Sequence, residues 1–218
     1  MTGLARAAEA VVFDMDGVLI DSGAHHRAAW RALLDELGVE PAPDFWRLTI
    51  GRPAEEAVPL VLGADVSPDQ AWRLAYRKRQ HYVRFASRGM QPVPGVTAFV
   101  ERLARAGVPC AVATSASSTD VYDLLAEIGV ATRFGAIVTA DDVRFGKPHP
   151  EVYVRAARAI AKDPARCVAF EDSVVGVQAA RAAGMTVIGV TTAYLEDELR
   201  QAGAAATIPS FEGLGWPL

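Results

Sequence analysis

The chain has 218 residues, 51% of them hydrophobic and 22% charged, with a formal net charge of −4 at neutral pH. That balance suits one packed domain with room for a smaller accessory one and is wrong for a disordered chain. It offers no basic excess to neutralise a nucleic-acid backbone, and its apolar runs fall short of the roughly 20 residues a bilayer needs, so neither nucleic acid nor membrane is expected as a partner.

The first ten residues contain Arg6 and Glu9 and no apolar run before a cleavage site, so they do not read as a signal peptide, and a cytoplasmic location is expected. Residues 10–13 form a short apolar run suited to a buried strand, which ends in Asp14-Met15-Asp16-Gly17. The segment 22–92 has a different texture. Trp30, Leu33, Leu34 and Leu37 recur at helical spacing before Gly38, a fitting C-terminal stop. Pro41, Pro43, Pro53 and Pro59 interrupt the stretch that follows. Ser67-Pro68-Asp69 then opens a helix, with serine as cap and proline in the first turn. Trp72, Ala75, Tyr76, Tyr82, Val83 and Ala86 fall on or near one face of it. The tryptophans are expected in the core, and Arg77-Lys78-Arg79 on a solvated helix face, with contact to an anionic substrate the alternative for one of those three or Arg84.

From Gly95 onward, strand-like runs at 108–113, 136–139, 167–170 and 186–190 alternate with helix-length segments at 96–106, 119–128, 151–161 and 174–183. Such alternation implies βαβ crossovers: an α/β fold with a Rossmann-like, mostly parallel sheet covered on both faces. Residues 1–21 and 93–218 are therefore expected to form the core and 22–92 an inserted helical domain, with the Gly- and Pro-rich residues 89–95 as return linker. Cys110 and Cys167 lie within apolar runs and read as inert core thiols.

The residues with chemistry gather at strand ends. Asp14 and Asp16 stand two apart, at the edge where open α/β sheets bind ligands, although Asp-Gly by itself is also ordinary turn chemistry. Glu171-Asp172-Ser173 closes another apolar run; one polar residue would suffice to cap the next helix, and here two acids lie side by side. Two acidic clusters at two strand ends suit a hard cation such as Mg²⁺, which takes oxygen ligands and often a substrate phosphate. Thr114-Ser115 opens a hydroxyl-rich turn that can cradle a phosphate or simply cap a helix. Lys147, after a further run, can hold a phosphate as a point charge or be a surface residue. Together, acid, hydroxyl, lysine and acid, each following a separate strand, describe one phosphate-and-metal pocket.

In these residues the chain resembles the haloacid dehalogenase-like superfamily. Residues 14–22 resemble its first motif, and Thr114, Lys147-Pro148 and Glu171-Asp172 its second, third and fourth, in order; the resemblance spans about residues 11–192. It implies the parallel core with a helical cap, and the second acid at Asp16 implies phosphoryl transfer. The insert resembles the cap of the branch containing β-phosphoglucomutase and small sugar phosphatases. By that resemblance Asp14 is the nucleophile and Asp16 the acid and base. Mg²⁺ is held by Asp14, Asp172 and the Asp16 carbonyl, with Glu171 as a ligand or behind one. Thr114, Ser115 and Lys147 bind the phosphate, while His26 and Arg52 meet the substrate from the cap. Residues 82–84 resemble a stretch where the mutase carries a lysine, and the Lys147–Pro148 bond is expected to be cis. His149 is expected to be a loop residue. The function implied is a phosphatase of a small phosphorylated metabolite. A phosphosugar mutase is the alternative, and a non-catalytic metabolite-binding protein the alternative of another class. The sequence is silent on oligomeric state and compatible with a monomer.

Overall fold

The computed structural model describes residues 8–63, 65–87 and 89–217; the N-terminal reading of residues 1–7 and the chain's last residue lie outside the described residues. Among the described residues, six parallel strands form one sheet: Ala10–Phe13 (β1), Cys110–Ala113 (β2), Ala136–Val138 (β3), Cys167–Glu171 (β4), Thr186–Val190 (β5) and Ala206–Ile208 (β6). Their order is β3-β2-β1-β4-β5-β6, with Phe13 opposite Val112 on one side and Phe170 on the other. The strand order thus reverses at β1, and such a switch point leaves a crevice at the strands' carboxyl ends.

Strand side chains alternate between two apolar layers. Val11, Phe13, Val112, Val168 and Phe170 face one layer, packed by Val96–Arg105 (α5) and Ser118–Glu127 (α6). Ala10, Val12, Ala111, Ala113 and Ala169 face the other, packed by Glu151–Ala159 (α7), Val174–Ala182 (α8) and Glu196–Ala202 (α9). Burial on both faces is why these strands read as unbroken apolar runs rather than alternating ones. Phe13 stacks on Phe170, with ring centroids 5.4 Å apart. Both cysteines are buried, and burial pushes the Cys110 thiol up to about 12 and Cys167 to about 11, as inert core thiols require.

Between β1 and β2 lie Gly23–Leu37 (α1), Phe45–Thr49 (α2), Ala54–Leu62 (α3), Pro68–Ala86 (α4) and α5. Helix α1 ends at Gly38 in the left-handed region, and α4 opens with a capping box in which Ser67 and Gln70 bond reciprocally at 3.3 and 2.9 Å. Trp30, Leu33, Ala57, Val58 and Ala71 make an apolar cluster separate from the sheet's two layers. The strands leading in and out run side by side: the Asp21 amide donates to the Gln91 carbonyl at 2.8 Å and Val93 to Leu19 at 3.1 Å.

Several expectations need correction. Pro59 does not interrupt helix but lies within α3, where it costs one backbone hydrogen bond near an end that comes three residues later. The single apolar face expected of α4 is two adjacent stripes. Ala71, Ala75, Lys78, Tyr82 and Ala86 are buried, while Trp72, Tyr76 and Val83 are 62%, 59% and 44% exposed, because one residue's step rotates a side chain by about 100°. Helix α9 and strand β6 were not anticipated; the first is polar in composition and the second only three residues long. No helix among the described residues is long and apolar enough to cross a membrane.

Candidate active site

Asp14 directly follows the central strand. Its amide donates to the Phe170 carbonyl at 3.0 Å, continuing the β1–β4 ladder and fixing the residue against β4. The chain then turns at Gly17, whose φ of +72° and position against Asp172 leave no room for a side chain: a Cβ there would stand 1.8 Å from Asp172 Oδ2. Thr192 Oγ1 donates to the Gly17 carbonyl at 2.6 Å and holds the turn from the end of β5. Asp14 thereby meets Thr114 from the end of β2 and Glu171 and Asp172 from β4, because those strands flank β1.

Lys147, 1% exposed, completes the floor. Its Nζ donates to Asp14 Oδ1 at 2.7 Å and to Glu171 Oε1 at 2.6 Å. The Tyr153 hydroxyl also donates to Glu171 Oε1, at 3.0 Å, and the Ser173 amide and hydroxyl donate to Oε2 at 2.8 and 2.9 Å. With both oxygens engaged, Glu171 anchors Lys147 and the start of α8 from behind the cavity. It fits there because residue 176 is glycine: a Cβ at Gly176 would lie 1.7 Å from Glu171 Oε1. Burial alone would lower the Lys147 pKa, but Asp14 and Glu171 outweigh it and raise it above the usual lysine range, so the ammonium persists.

Among the described residues, Asp14, Glu171 and Asp172 bring carboxylate oxygens within 4.8 Å of one another, all buried. Burial raises Asp14 to about 7 against the opposing Lys147 charge, and Glu171 adds to the rise; burial, Glu171 and Asp14 raise Asp172 well above the carboxylate range. Were all three acids ionised around one ammonium, they would leave an excess of buried negative charge, and this is what holds protons on Asp14 and Asp172 in the metal-free chain. An oxygen-binding divalent cation fits that excess, and Mg²⁺ is chemically suited to it.

Asp16 points elsewhere. Ser22 Oγ donates to its Oδ1 at 2.5 Å, and His26 Nε2 lies 3.1 Å from the same oxygen. Lys78 Nζ lies 2.7 Å from His26 Nδ1. An ammonium has only donors, so Nδ1 accepts from Lys78 and the imidazole proton sits on Nε2, facing Asp16. Burial, and then the Lys78 charge, push His26 below its ordinary range, which keeps the ring neutral. Burial opposes ionisation of Asp16, but His26, Ser22 and Lys78 together outweigh it and hold its carboxyl down at about 2. His26 stacks on Tyr82 at 4.3 Å, and Lys78 lies over the Trp30 and Tyr82 rings at 5.7 and 5.3 Å.

These groups open into a cavity of about 290 Å³ between the sheet edge and the helices of 22–92. Asp14, Asp16, Thr114, Ser115, Lys147 and Asp172 line its sheet side, and His26 and Arg52 its helical side. The Ser115 hydroxyl is engaged with the Gly51 carbonyl at 3.0 Å, so any share it takes in holding a phosphate comes from its backbone. The Lys147–Pro148 bond is cis. His149 lies outside this cavity, with its Nδ1 accepting from the Glu151 amide at 3.3 Å. Sequence reasoning missed Tyr153, and it read Lys78 first as solvated, with a substrate contact left open for it, its two neighbours or Arg84. Lys78 lies four residues before residues 82–84, the stretch that resembles the mutase's lysine-bearing one. Its spacing from Ala75 and Tyr82 on the buried stripe of α4 was the available signal.

A family model described as haloacid dehalogenase-like hydrolase matches residues 8–184. A phosphorylated carbohydrates phosphatase of Thermotoga maritima is 32% identical over 202 residues, 92% of this chain and 94% of that protein. A fructose-1-phosphate phosphatase of Escherichia coli is 32% identical over 180 residues, 83% of this chain and 95% of that protein. Among solved structures, a β-phosphoglucomutase of Clostridium difficile superposes with a TM-score of 0.84 over 96% of this chain and 94% of its own, at 24% identity, a likeness of fold.

Proposed function

We infer the reaction from one premise: the chain belongs to the haloacid dehalogenase-like hydrolase family. It is an enzyme, and the reading that its pocket and relatives support best is a magnesium-dependent phosphatase of small phosphorylated metabolites, sugar phosphates foremost. The observation that carries this reading is Asp14 at the floor of the cavity, one oxygen bonded to Lys147 and grouped with two further buried acids.

In this reading Asp14, Asp172 and the Asp16 carbonyl hold Mg²⁺, with Glu171 behind them. When bound, the ion supplies positive charge that offsets the carboxylates and the phosphate oxygens. Asp14 attacks phosphorus with the oxygen that Lys147 leaves unengaged, forming an acyl phosphate as the ester P–O bond breaks. Asp16 protonates the departing alkoxide, then takes a proton from the water that attacks the acyl phosphate, and Asp14 is released as carboxylate. Lys147 and Thr114 stabilise the charge on the transferring phosphoryl oxygens. Because the resting Asp16 is held at about 2, the proton it donates has to arrive with the substrate or be taken up as the phosphate enters.

We assign residues 22–92 to a cap and 1–21 with 93–218 to the core; the separate apolar cluster around Trp30 and Leu33 supports that division. The paired linkers at Asp21 and Val93 are the hinge in this reading, and closure shuts water out of the pocket.

A phosphate-release assay with Mg²⁺ against phosphorylated sugars tests the function, and acid-quenched mass spectrometry tests the intermediate. A phosphoryl adduct on any residue other than Asp14 would overturn the reading. Arg52, lining the cavity from the cap side, favours a second reading, a phosphosugar mutase in which Arg52 grips a distal phosphate. Conversion of β-glucose 1-phosphate without net phosphate release would select it.

A further inference from the structure

We propose that Trp72 and Tyr76 make this pocket selective for a ring, so that the esters it favours carry a hexose in closed form and open-chain polyol phosphates are turned over poorly. This rests on the phosphatase reading above and specifies its leaving group.

Trp72 and Tyr76 stand one turn apart on α4, and both line the catalytic cavity while more than half exposed. Large apolar side chains left this open, side by side, mark a surface that meets a partner. They are not a general feature of the helix: Ala75, Lys78 and Tyr82 form a buried stripe of α4, whereas the aromatic pair stays open on the cavity wall. Trp46, from α2, lines the same cavity under the Arg27 guanidinium, which lies 5.2 Å from its ring centroid.

The cavity therefore offers two kinds of surface: flat aromatic faces, and the polar groups of Arg52, Glu55 and Asp21, which line it as well. A hexopyranose has a matching composition, with C–H faces that lie on aromatic rings and peripheral hydroxyls that reach carboxylates and guanidinium. A plain aryl group would have nothing to offer Glu55 and Asp21. An open-chain alditol presents no flat face, and ordering its rotors costs binding energy that a ring has already lost. A cavity of about 290 Å³ sits at the small end for ligand sites, as a single hexose requires.

The test compares kcat/KM for glucose 6-phosphate with that for sorbitol 6-phosphate, and for fructose 1-phosphate with that for mannitol 1-phosphate, with Mg²⁺. Acetyl phosphate serves as a substrate that needs no wall. The chains are wild type, Trp72→Ala/Tyr76→Ala and the shape-retaining Trp72→Phe/Tyr76→Phe. At least one ring ester should exceed its open-chain partner by about tenfold or more in the wild type. That ratio should fall towards one in the alanine variant and be retained in the phenylalanine variant. Phosphate release from acetyl phosphate with a flat ring-to-chain ratio, or a ratio unmoved by the alanine changes, overturns this inference alone. No release from any of the five substrates overturns the phosphatase reading and this inference with it.

Discussion

Lys78 Nζ sits 2.7 Å from His26 Nδ1, and this contact decides that the imidazole turns a protonated Nε2 towards Asp16. A lysine from α4 thus orients the group expected to move protons at the end of β1, through a histidine on α1. The relay joins α1 and α4 to the end of β1.

Replacing Lys78 by methionine tests that relay. Without the ammonium one of the two charges that depress His26 is gone, so the His26 pKa should rise, and either tautomer can then face Asp16. We expect kcat to fall roughly 10- to 100-fold, within the range of general acid–base effects, with a smaller change in KM. Histidine NMR through a pH titration provides the second readout. An unmoved His26 titration in a folded Lys78→Met variant would contradict the arrangement.

Asp14→Asn and Asp16→Asn should separate nucleophile from proton carrier. The first should abolish turnover and adduct formation together. The second should slow turnover on the order of 10²–10⁴-fold for sugar esters. It should slow acetyl phosphate less, because that leaving group needs little protonation. Near-normal kinetics on a sugar phosphate in the Asp16 variant would remove its assigned role.

Metal removal should be legible in stability as well as activity. In the metal-free chain Asp14 titrates near 7 and Asp172 is raised too, against an unfolded value of 3.8, so the folded state binds more protons than the unfolded between about 4 and 7. Stability from these groups is then fully present below about 4 and is lost as pH rises through 7. Mg²⁺ favours the ionised carboxylates and should offset that loss. At a hundredfold excess over Kd the gain is about 2.7 kcal/mol, roughly 5–10 °C in Tm for a chain of this size. Thermal unfolding with Mg²⁺ and with chelator should show the larger shift at pH 8 and little at pH 5. Equal shifts at both would speak against the acidic cluster as the binding site.

Gly176→Ala reverses a normal rule. In a helix, alanine is ordinarily better than glycine by up to about 1 kcal/mol. Here the added methyl meets the buried Glu171 carboxylate, which holds Lys147. The variant should lose on the order of 2 kcal/mol or more in denaturant unfolding, and most of its activity. A stabilised, active Gly176→Ala would mean that Glu171 can move without consequence.

Much of the core was legible because its strands are buried on both faces and so appear as plain apolar runs. Ala10–Phe13 and Thr186–Val190 begin and end where the residues alone place them. Other strands differ by one or two residues at their ends, where pairing with a neighbour decides the limit. Strand β6 escaped notice because three residues at a sheet edge carry too little pattern, and α9 because its face is mostly charged. In α4 the apolar residues are visible, but which of two adjacent stripes faces inward depends on what α1 and α3 present to it. Trp72, expected in the core, lines the cavity for that reason, and Lys78 is buried for the same one.

By itself the sequence determined which chemical groups stand at which strand ends, since Asp14, Thr114, Glu171 and Asp172 are each covalently next to the run that positions them. Only the tertiary structure decided which of these groups touch. Lys147 reaches Asp14 across 133 residues of chain, and Lys78 reaches His26 across 52. Those meetings follow from α7 packing on β1, β2 and β3, with Lys147 in the segment that leads into it, and from the packing of α4 against α1. Both are outcomes of burying apolar faces against one another, and no local run of residues encodes them.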